Sequence, residues 1–332
     1  MKQVKFWLMA LFVAIFMVAC GTTSEDAGQV ADENQADQVE ETDTIEMEEP
    51  ENLYPLTMQD ALGDEVTIEA KPERMVSLIP SITETIFALE QGEYVVGRTD
   101  WDNYPEEVNE IETVGGMDFD IEKVISLNPD LVLTHESGAH STADGMEQLR
   151  QAGITVLVVN SAETIEEVYE SINLVGQATA SQSKADELIE KMRATMEEFE
   201  KKASEIPEED RMKVWVEISP DLYTSGQGTF MHEMITILNA TNAAEEQQGW
   251  VQFTEEEAVA FNADVIITTY GGYEEEHPSE TIKQRSAWKD IPAVVNERIY
   301  DVDPDTVTRP GPRLAEGVEH LAAAIYPEVF GE

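Results

Sequence analysis

Glu122-Lys-Val-Ile-Ser-Leu-Asn-Pro-Asp-Leu-Val-Leu-Thr134 returns, lightly altered, as Glu256-Glu-Ala-Val-Ala-Phe-Asn-Ala-Asp-Val-Ile-Ile-Thr268. Each copy runs from Glu through apolar residues on one helical face to Asn-x-Asp, then to an apolar strand ending in Thr. One helix–turn–strand unit in each half of a 332-residue chain predicts two similar lobes. Two lobes leave a cleft between them, and a cleft is where a ligand sits.

The flanking pattern extends the prediction. Residues 54–73 read as a hairpin around Gly63-Asp64, 74–80 as an apolar strand, and Ser81 with Glu84 as a capping box on the next helix. Strands are expected at 94–97, 131–134 and 155–160, and helices at 122–127 and 145–152. A helical tract follows from 165 to about 204, with Gly176 as a plausible breaker. Its portion 183–204 lies between the two copies and reads as a rigid spacer. The alternation resumes with strands at 213–218, 265–269 and 298–302 and helices at 229–238, 255–261 and 314–324. The expected fold is α/β: two similar α/β lobes bridged by a long α-helix. The expected boundaries are a signal segment 1–19, a tether 20–53, an N-terminal lobe 54–180, a linking helix 181–206 and a C-terminal lobe 207–332.

Lys2 and Lys5 precede an apolar run from Phe6 to Val18 that is too short for a membrane span and fits an export signal. Val18-Ala19-Cys20-Gly21 resembles a bacterial lipobox, in which Cys20 is lipidated and becomes the mature N-terminus; the alternative is a plain secretory signal. Cys20 is the only cysteine, so an intrachain disulfide is excluded. From Cys20 to Ala70 there is no Lys or Arg. Residues 21–53 offer almost nothing to bury and read as a self-repelling tether holding a folded body off a membrane.

Twenty basic against 69 acidic residues give a net charge of −49. Phosphate backbones need a basic face, so nucleic acid is excluded as a partner. The acids are spread over the helices, as on a solvated surface suited to saline surroundings.

Arg74-Met-Val-Ser-Leu-Ile-Pro-Ser-Ile-Thr-Glu84, Val96-Gly97, Tyr104-Pro105, Val114-Gly-Gly116, Asn128-Pro-Asp-Leu-Val132, Tyr223-Thr-Ser-Gly226, Gly249-Trp250 and Pro312-Arg313 together resemble the substrate-binding proteins of iron-siderophore and cobalamin ABC importers. The resemblance covers about residues 55–330, with the binding domain proper from about 74. Gly97-Arg-Thr-Asp-Trp-Asp-Asn-Tyr-Pro105 and Asp301-Val-Asp-Pro-Asp305 followed by Arg309 look most like Gram-positive cobalamin-binding lipoproteins. The resemblance implies a monomer on the outer face of the membrane, working with an ABC permease and its ATPase. It also implies that Glu122 and Glu256 dock onto permease arginines. A two-fold permease presents symmetric contacts, which a duplicated lobe meets with one carboxylate twice. Otherwise both are helix N-terminal carboxylates favoured by the macrodipole.

The candidate ligand contacts are Trp101, Met117, His135, Tyr223, Trp250, Tyr270, Asp305 and Arg309. Trp101 and Trp250 lie in polar-flanked loops, and the resemblance implies that they pack on a corrin; otherwise they are simply buried. Met117 follows Gly115-Gly116. His135 and Tyr270 lie just past the two repeated strands, so duplication sets them opposite each other, although a lone His is more often a hydrogen-bonded structural group. Asp305 and Arg309 follow the last strand, and Arg309 is a donor for phosphate or amide oxygens. Trp215, Trp288 and Arg313 read as structural or surface residues.

No His-x-x-x-His, Gly-x-Ser-x-Gly or phosphate loop occurs, and the five histidines lack zinc-ligand spacing. A binding protein rather than an enzyme is expected, with no cofactor and no metal site. Anionic ferric siderophores need several cleft cations, and here Arg98 and Arg309 are the evident candidates. That scarcity, together with the two loop tryptophans Trp101 and Trp250, favours cobalamin as ligand, a ferric siderophore being the alternative and haem the third.

Overall fold

The computed structural model describes residues 53–331. The signal segment, Cys20 and the tether up to residue 52 lie outside the described residues.

The chain opens with an antiparallel hairpin of β1 (Leu56–Gln59) and β2 (Glu65–Ile68), turning at Gly63 with φ +82°. In the N-terminal lobe, β3 (Met75–Ser77), β4 (Val95–Gly97), β5 (Leu131–His135) and β6 (Thr155–Val159) form a parallel sheet in the order β4-β3-β5-β6. In the C-terminal lobe come β7 (Lys213–Glu217), β8 (Tyr223–Ser225), β9 (Thr241–Asn242), β10 (Trp250–Gln252), β11 (Val265–Thr268) and β12 (Ile299–Asp301). There β9-β7-β11-β12 form a second parallel sheet, while β8 and β10 pair antiparallel beside it. Counted by appearance within each sheet, both run 2-1-3-4. The duplication seen in the repeat therefore extends to the whole strand order, and the fold is two similar α/β lobes.

The repeat does the same physical work in each lobe. Asp120 caps helix Ile121–Ser126 by accepting from the Lys123 N–H at 3.0 Å, and Thr254 with Glu257 forms a capping box on helix Glu255–Ala260. Asn128 and Asn262 then take left-handed φ of +49° and +52°, which ends each helix at a residue that tolerates that region. Two residues on, Asp130 accepts the backbone N–H groups of Glu73 and Arg74 at 2.8 and 3.2 Å, just before β3. Asp264 likewise accepts the Lys213 N–H at 2.9 Å, at the start of β7. Each Asn-x-Asp thus stops a helix and fixes the register between the first and third strands of its sheet.

The helical tract is two helices, Ile165–Ala178 and Gln182–Ala203. Gly176 does not break it. It lies inside the first helix, where a Cβ would stand 2.5 Å from the Cβ of Ala185, so its lack of a side chain allows close helix packing. The break is at Ala180, with φ +53°. The second helix, 22 residues and about 33 Å long at 1.5 Å per residue, joins the lobes. Its buried Met192 and Met196 enter one apolar cluster that also contains Leu133 from β5 and Ile267 from β11.

The expected capping box at Ser81 is not formed. Pro80, pre-set for the first helical position, starts helix Pro80–Ala88 two residues earlier, with Ile79 at the N-cap and no side-chain cap. Glu84 is left inside the helix and 3% exposed, with partners from the other lobe described below. Trp215 and Trp288 are both buried in the outer core of the C-terminal lobe, where Trp215 packs against Phe253, Phe261 and Trp288 at 5.6, 5.8 and 6.4 Å between ring centres.

Candidate functional site

In a parallel sheet of order 2-1-3-4 the chain departs in opposite directions from the C-terminal ends of strands 1 and 3, and a crevice opens there. This protein has two such points. At one, β3 leads into Ile79, Pro80 and Ser81, and β5 ends at His135 and leads into Ser137. At the other, β7 leads into Ile218, and β11 into Thr269 and Tyr270. All eight residues line one cavity of 500 Å³, completed by Tyr273, Pro304, Asp305, Thr308, Arg309 and Pro310. The cleft is therefore the space where the two switch points face each other. It brings together four of the expected contacts: His135, Tyr270, Asp305 and Arg309.

His135 is buried, with Nδ1 2.7 Å from Ser137 Oγ. Burial pushes its pKa below the ordinary 6.5, against the opposing influence of the Glu136 carboxylate and the Asn160 backbone. The folded protein thus favours the neutral ring, and the unfolded chain binds more protons between the two pKa values. The stabilisation is complete above about pH 6.5 and is lost as pH falls toward the lower, folded-state value. The melting temperature of the wild type is expected to fall more than that of His135→Gln between about pH 7 and pH 5. Parallel pH profiles, followed by circular dichroism, would contradict this.

Tyr270 turns its hydroxyl away from solvent and donates it to Glu217, which is fully buried. Arg285 holds the same carboxylate with two bonds of 2.8 and 2.7 Å, and Trp215 Nε1 donates to it at 3.3 Å. Burial, and then the Glu217 charge, push the Tyr270 pKa well above the usual phenol value. What Tyr270 offers the cavity is its ring.

Arg309 lines the cavity, but its guanidinium is already engaged. Nη1 donates to Glu84 and, at 3.1 Å, to Asn103 Oδ1, while Nη2 donates to Asp305 at 2.6 Å. Arg313 donates to both Glu84 oxygens at 2.9 and 2.7 Å, and Asn103 donates to Asp305 at 2.7 Å. Glu84 and Asn103 belong to the N-terminal lobe and the other three to the C-terminal lobe, so the cluster joins the lobes beside the cleft. Glu84 and Asn103 were not legible as site residues, because their partners stand about two hundred positions away. Arg98 is not a cleft cation. It is buried within the N-terminal lobe and donates to the carbonyls of Val108, Thr99 and Asp102 at 2.7, 2.9 and 3.3 Å.

Trp101 and Met117 line a second cavity of 240 Å³ that shares Ile79, His135 and Ser137 with the first. Trp101 lies so close over Gly116 that a Cβ there would come within 2.9 Å of the indole. Trp250 and Tyr223 line neither cavity. They face each other's strands in the β8–β10 pair, with the Tyr223 hydroxyl 3.4 Å from the Trp250 carbonyl. Trp250 packs edge-on against Phe230 and donates Nε1–H to Glu163 of the other lobe at 2.8 Å. The expected corrin wall is here a seam between the lobes, because the strand pairing turns the indole toward Phe230.

Glu122 and Glu256 each occupy the second position of their helix and are exposed. Neither has a hydrogen-bond or ionic partner among the described residues. The neighbours of Glu256 are engaged: Glu255 accepts from Trp288 Nε1 at 3.1 Å, and Glu257 accepts from the Thr254 N–H at 2.9 Å.

The family model described as periplasmic binding protein matches residues 75–306. The chain belongs to the periplasmic binding protein family. As a periplasmic binding protein it holds a ligand rather than transforming one. It is 43% identical to the uncharacterized ABC transporter substrate-binding lipoprotein YvrC of Bacillus subtilis, over 100% of this chain and 99% of that one. It is 27% identical to a cobalamin-binding protein of Halobacterium salinarum, over 82% of this chain and 74% of the other. A crystal structure of a possible iron-binding protein from Staphylococcus epidermidis superposes with a TM-score of 0.70 at 34% identity, covering 77% of this chain and 100% of that one.

Proposed function

We propose that this protein is the extracytoplasmic, Cys20-anchored substrate-binding component of an ABC importer and that its ligand is a corrinoid of the cobalamin type. The importer role rests on family membership and on the full-length similarity to an ABC transporter substrate-binding lipoprotein. The choice of ligand rests on one observation. Among the described residues that line the interlobe cavity, Arg309 is the only Arg or Lys, and it is taken up by Glu84, Asp305 and Asn103. A polyanionic ferric siderophore would have to compete with two carboxylates for that cation, one of them in a buried pair. A corrinoid asks instead for apolar walls and scattered hydrogen-bonding groups. The Tyr270 ring, Ile79, Ile218 and the hydroxyls of Ser81, Ser137 and Thr269 answer that description. The relation to a cobalamin-binding protein points the same way.

Glu122 and Glu256 are the docking carboxylates in this reading, equivalent in position, exposed and unpartnered. The ligand assignment is tested by following tryptophan fluorescence while the purified protein is titrated with cyanocobalamin. Saturable quenching with sub-micromolar affinity is expected. No response to cyanocobalamin, alongside saturable binding of a ferric siderophore, would reverse the assignment.

A further inference from the structure

Among the described methionines only Met117 holds its thioether in open water, at 67% exposure. Met75, Met146, Met192, Met196, Met231 and Met234 are buried in the apolar clusters of the two lobes. Met58 and Met212 are half-buried against the larger cluster, and the Met212 sulfur also accepts from Arg298 Nη1 at 3.3 Å. Met117 stands at the tip of a tight turn, where Gly115, with φ +101°, bridges antiparallel to Phe119. The Asp120 N–H donates to the Val114 carbonyl at 2.8 Å and the Asp100 N–H to the Gly115 carbonyl at 3.0 Å. Those bonds fix the turn, so the fold itself presents the thioether to solvent.

A solvent-exposed thioether is open to two-electron oxidants, and access selects which methionine reacts. The sulfur lone pair attacks one oxygen of a hydroperoxide. The S–O bond forms as the O–O bond breaks, and sulfur gives up two electrons. The departing oxygen takes up the proton of the attacked one and leaves as water or an alcohol. The sulfoxide left behind is polar where the thioether was apolar.

The place of that change gives it a consequence. Met117 lines the 240 Å³ cavity that shares Ile79, His135 and Ser137 with the interlobe cleft. Three hydroxyls of that cavity are already engaged: Ser141 and Thr142 donate to the Gly138 carbonyl at 3.0 and 2.9 Å, and Ser137 Oγ pairs with His135 Nδ1 at 2.7 Å. A ligand that covered the sulfoxide would strip it of water while those groups serve other partners, and such burial is costly.

We propose that Met117 is a site of oxidation by hydroperoxides and that its sulfoxide weakens the hold of the cleft on its ligand. The second half rests on the corrinoid reading above; the place of oxidation does not.

Wild type and Met117→Leu would be treated with dilute hydrogen peroxide, mapped by peptide mass spectrometry, and titrated calorimetrically with cyanocobalamin before and after treatment. The added oxygen is expected at Met117 at least about tenfold faster than at Met58 or Met212. Wild-type affinity should then fall about tenfold, whereas Met117→Leu should stay within about twofold of its own starting value. That variant also controls for oxidation at every other methionine. Methionine sulfoxide reductases acting on both sulfoxide epimers, with dithiothreitol oxidised to its disulfide and the oxygen released as water, should restore the wild type. Faster oxidation at Met58 or Met212, an affinity unmoved by the sulfoxide at Met117, or an equal fall in Met117→Leu would overturn the proposal and leave the corrinoid reading standing. Failure of untreated wild type to bind cyanocobalamin would overturn the corrinoid reading and the loss of affinity together.

Discussion

Glu84→Ala is expected to be the most destabilising single substitution among the charged residues that join the two lobes, lowering the melting temperature by about 10 °C. Glu84 is 3% exposed and is the common acceptor of Arg309 and Arg313. Removing it leaves two largely buried guanidinium groups short of a counter-charge, and breaking a buried pair from one side costs about 3–5 kcal/mol. In a domain of this size each kcal/mol moves the melting temperature by about 2–4 °C. Arg193→Ala is the matched control. It breaks the Arg193–Glu166 pair, also 2.7 Å long but with 46% and 63% of the two side chains exposed, where such pairs contribute about 1 kcal/mol or less. Scanning calorimetry on the two variants separates the cases. Equal shifts would mean that the Glu84 cluster does not join the lobes energetically.

The double variant Glu122→Ala with Glu256→Ala is expected to reduce uptake of labelled cyanocobalamin by at least about tenfold while binding in solution is unchanged. Each carboxylate lies outside the two cleft cavities and has no hydrogen-bond or ionic partner among the described residues, so its loss leaves the cleft intact. Truncating one side of a buried interfacial charge pair costs about 2–5 kcal/mol, and about 1.4 kcal/mol is already a factor of ten. Uptake by cells carrying the double variant and affinity of the purified variant are the paired measurements. Normal uptake would remove both residues from docking, and weakened binding would place them in the fold's support instead. The corresponding change at Glu257 should lower stability through its capping box on helix Glu255–Ala260 without lowering uptake.

The lobes were legible because their signals are local. A helix face, an Asn that ends it and an apolar strand all fall within thirteen consecutive residues, and the pattern occurs twice. The cleft positions of His135 and Tyr270 followed from the same repeat, since the residue after an equivalent strand has an equivalent place. What escaped were the groups whose meaning depends on distant partners. Glu84 has the spacing of a capping box from Ser81, and only the helix start at Pro80 and two arginines from the far end of the chain give it another task. Arg98 and Arg309 looked equally available as cations, yet one donates to carbonyls of its own lobe and the other to a carboxylate of the opposite lobe. Trp101 and Trp250 were indistinguishable as loop aromatics. Pairing of β10 with β8 turns the second toward Phe230, whereas Gly116 leaves the first room to lie at the cleft. Gly176 was misread for a related reason: a glycine that permits two helices to approach looks, in sequence, like one that ends a helix.

The central claim, that the two strand switch points together form a corrinoid site, is met most directly by hydrogen–deuterium exchange with and without saturating cyanocobalamin. Protection is predicted in segments from both lobes, around residues 78–81 and 134–138 and around 217–219, 268–273 and 304–310. No comparable change is predicted at the cavity against the bridging helix around Leu188 and Thr195. Protection confined to one lobe, or centred on the bridging helix, would contradict the account.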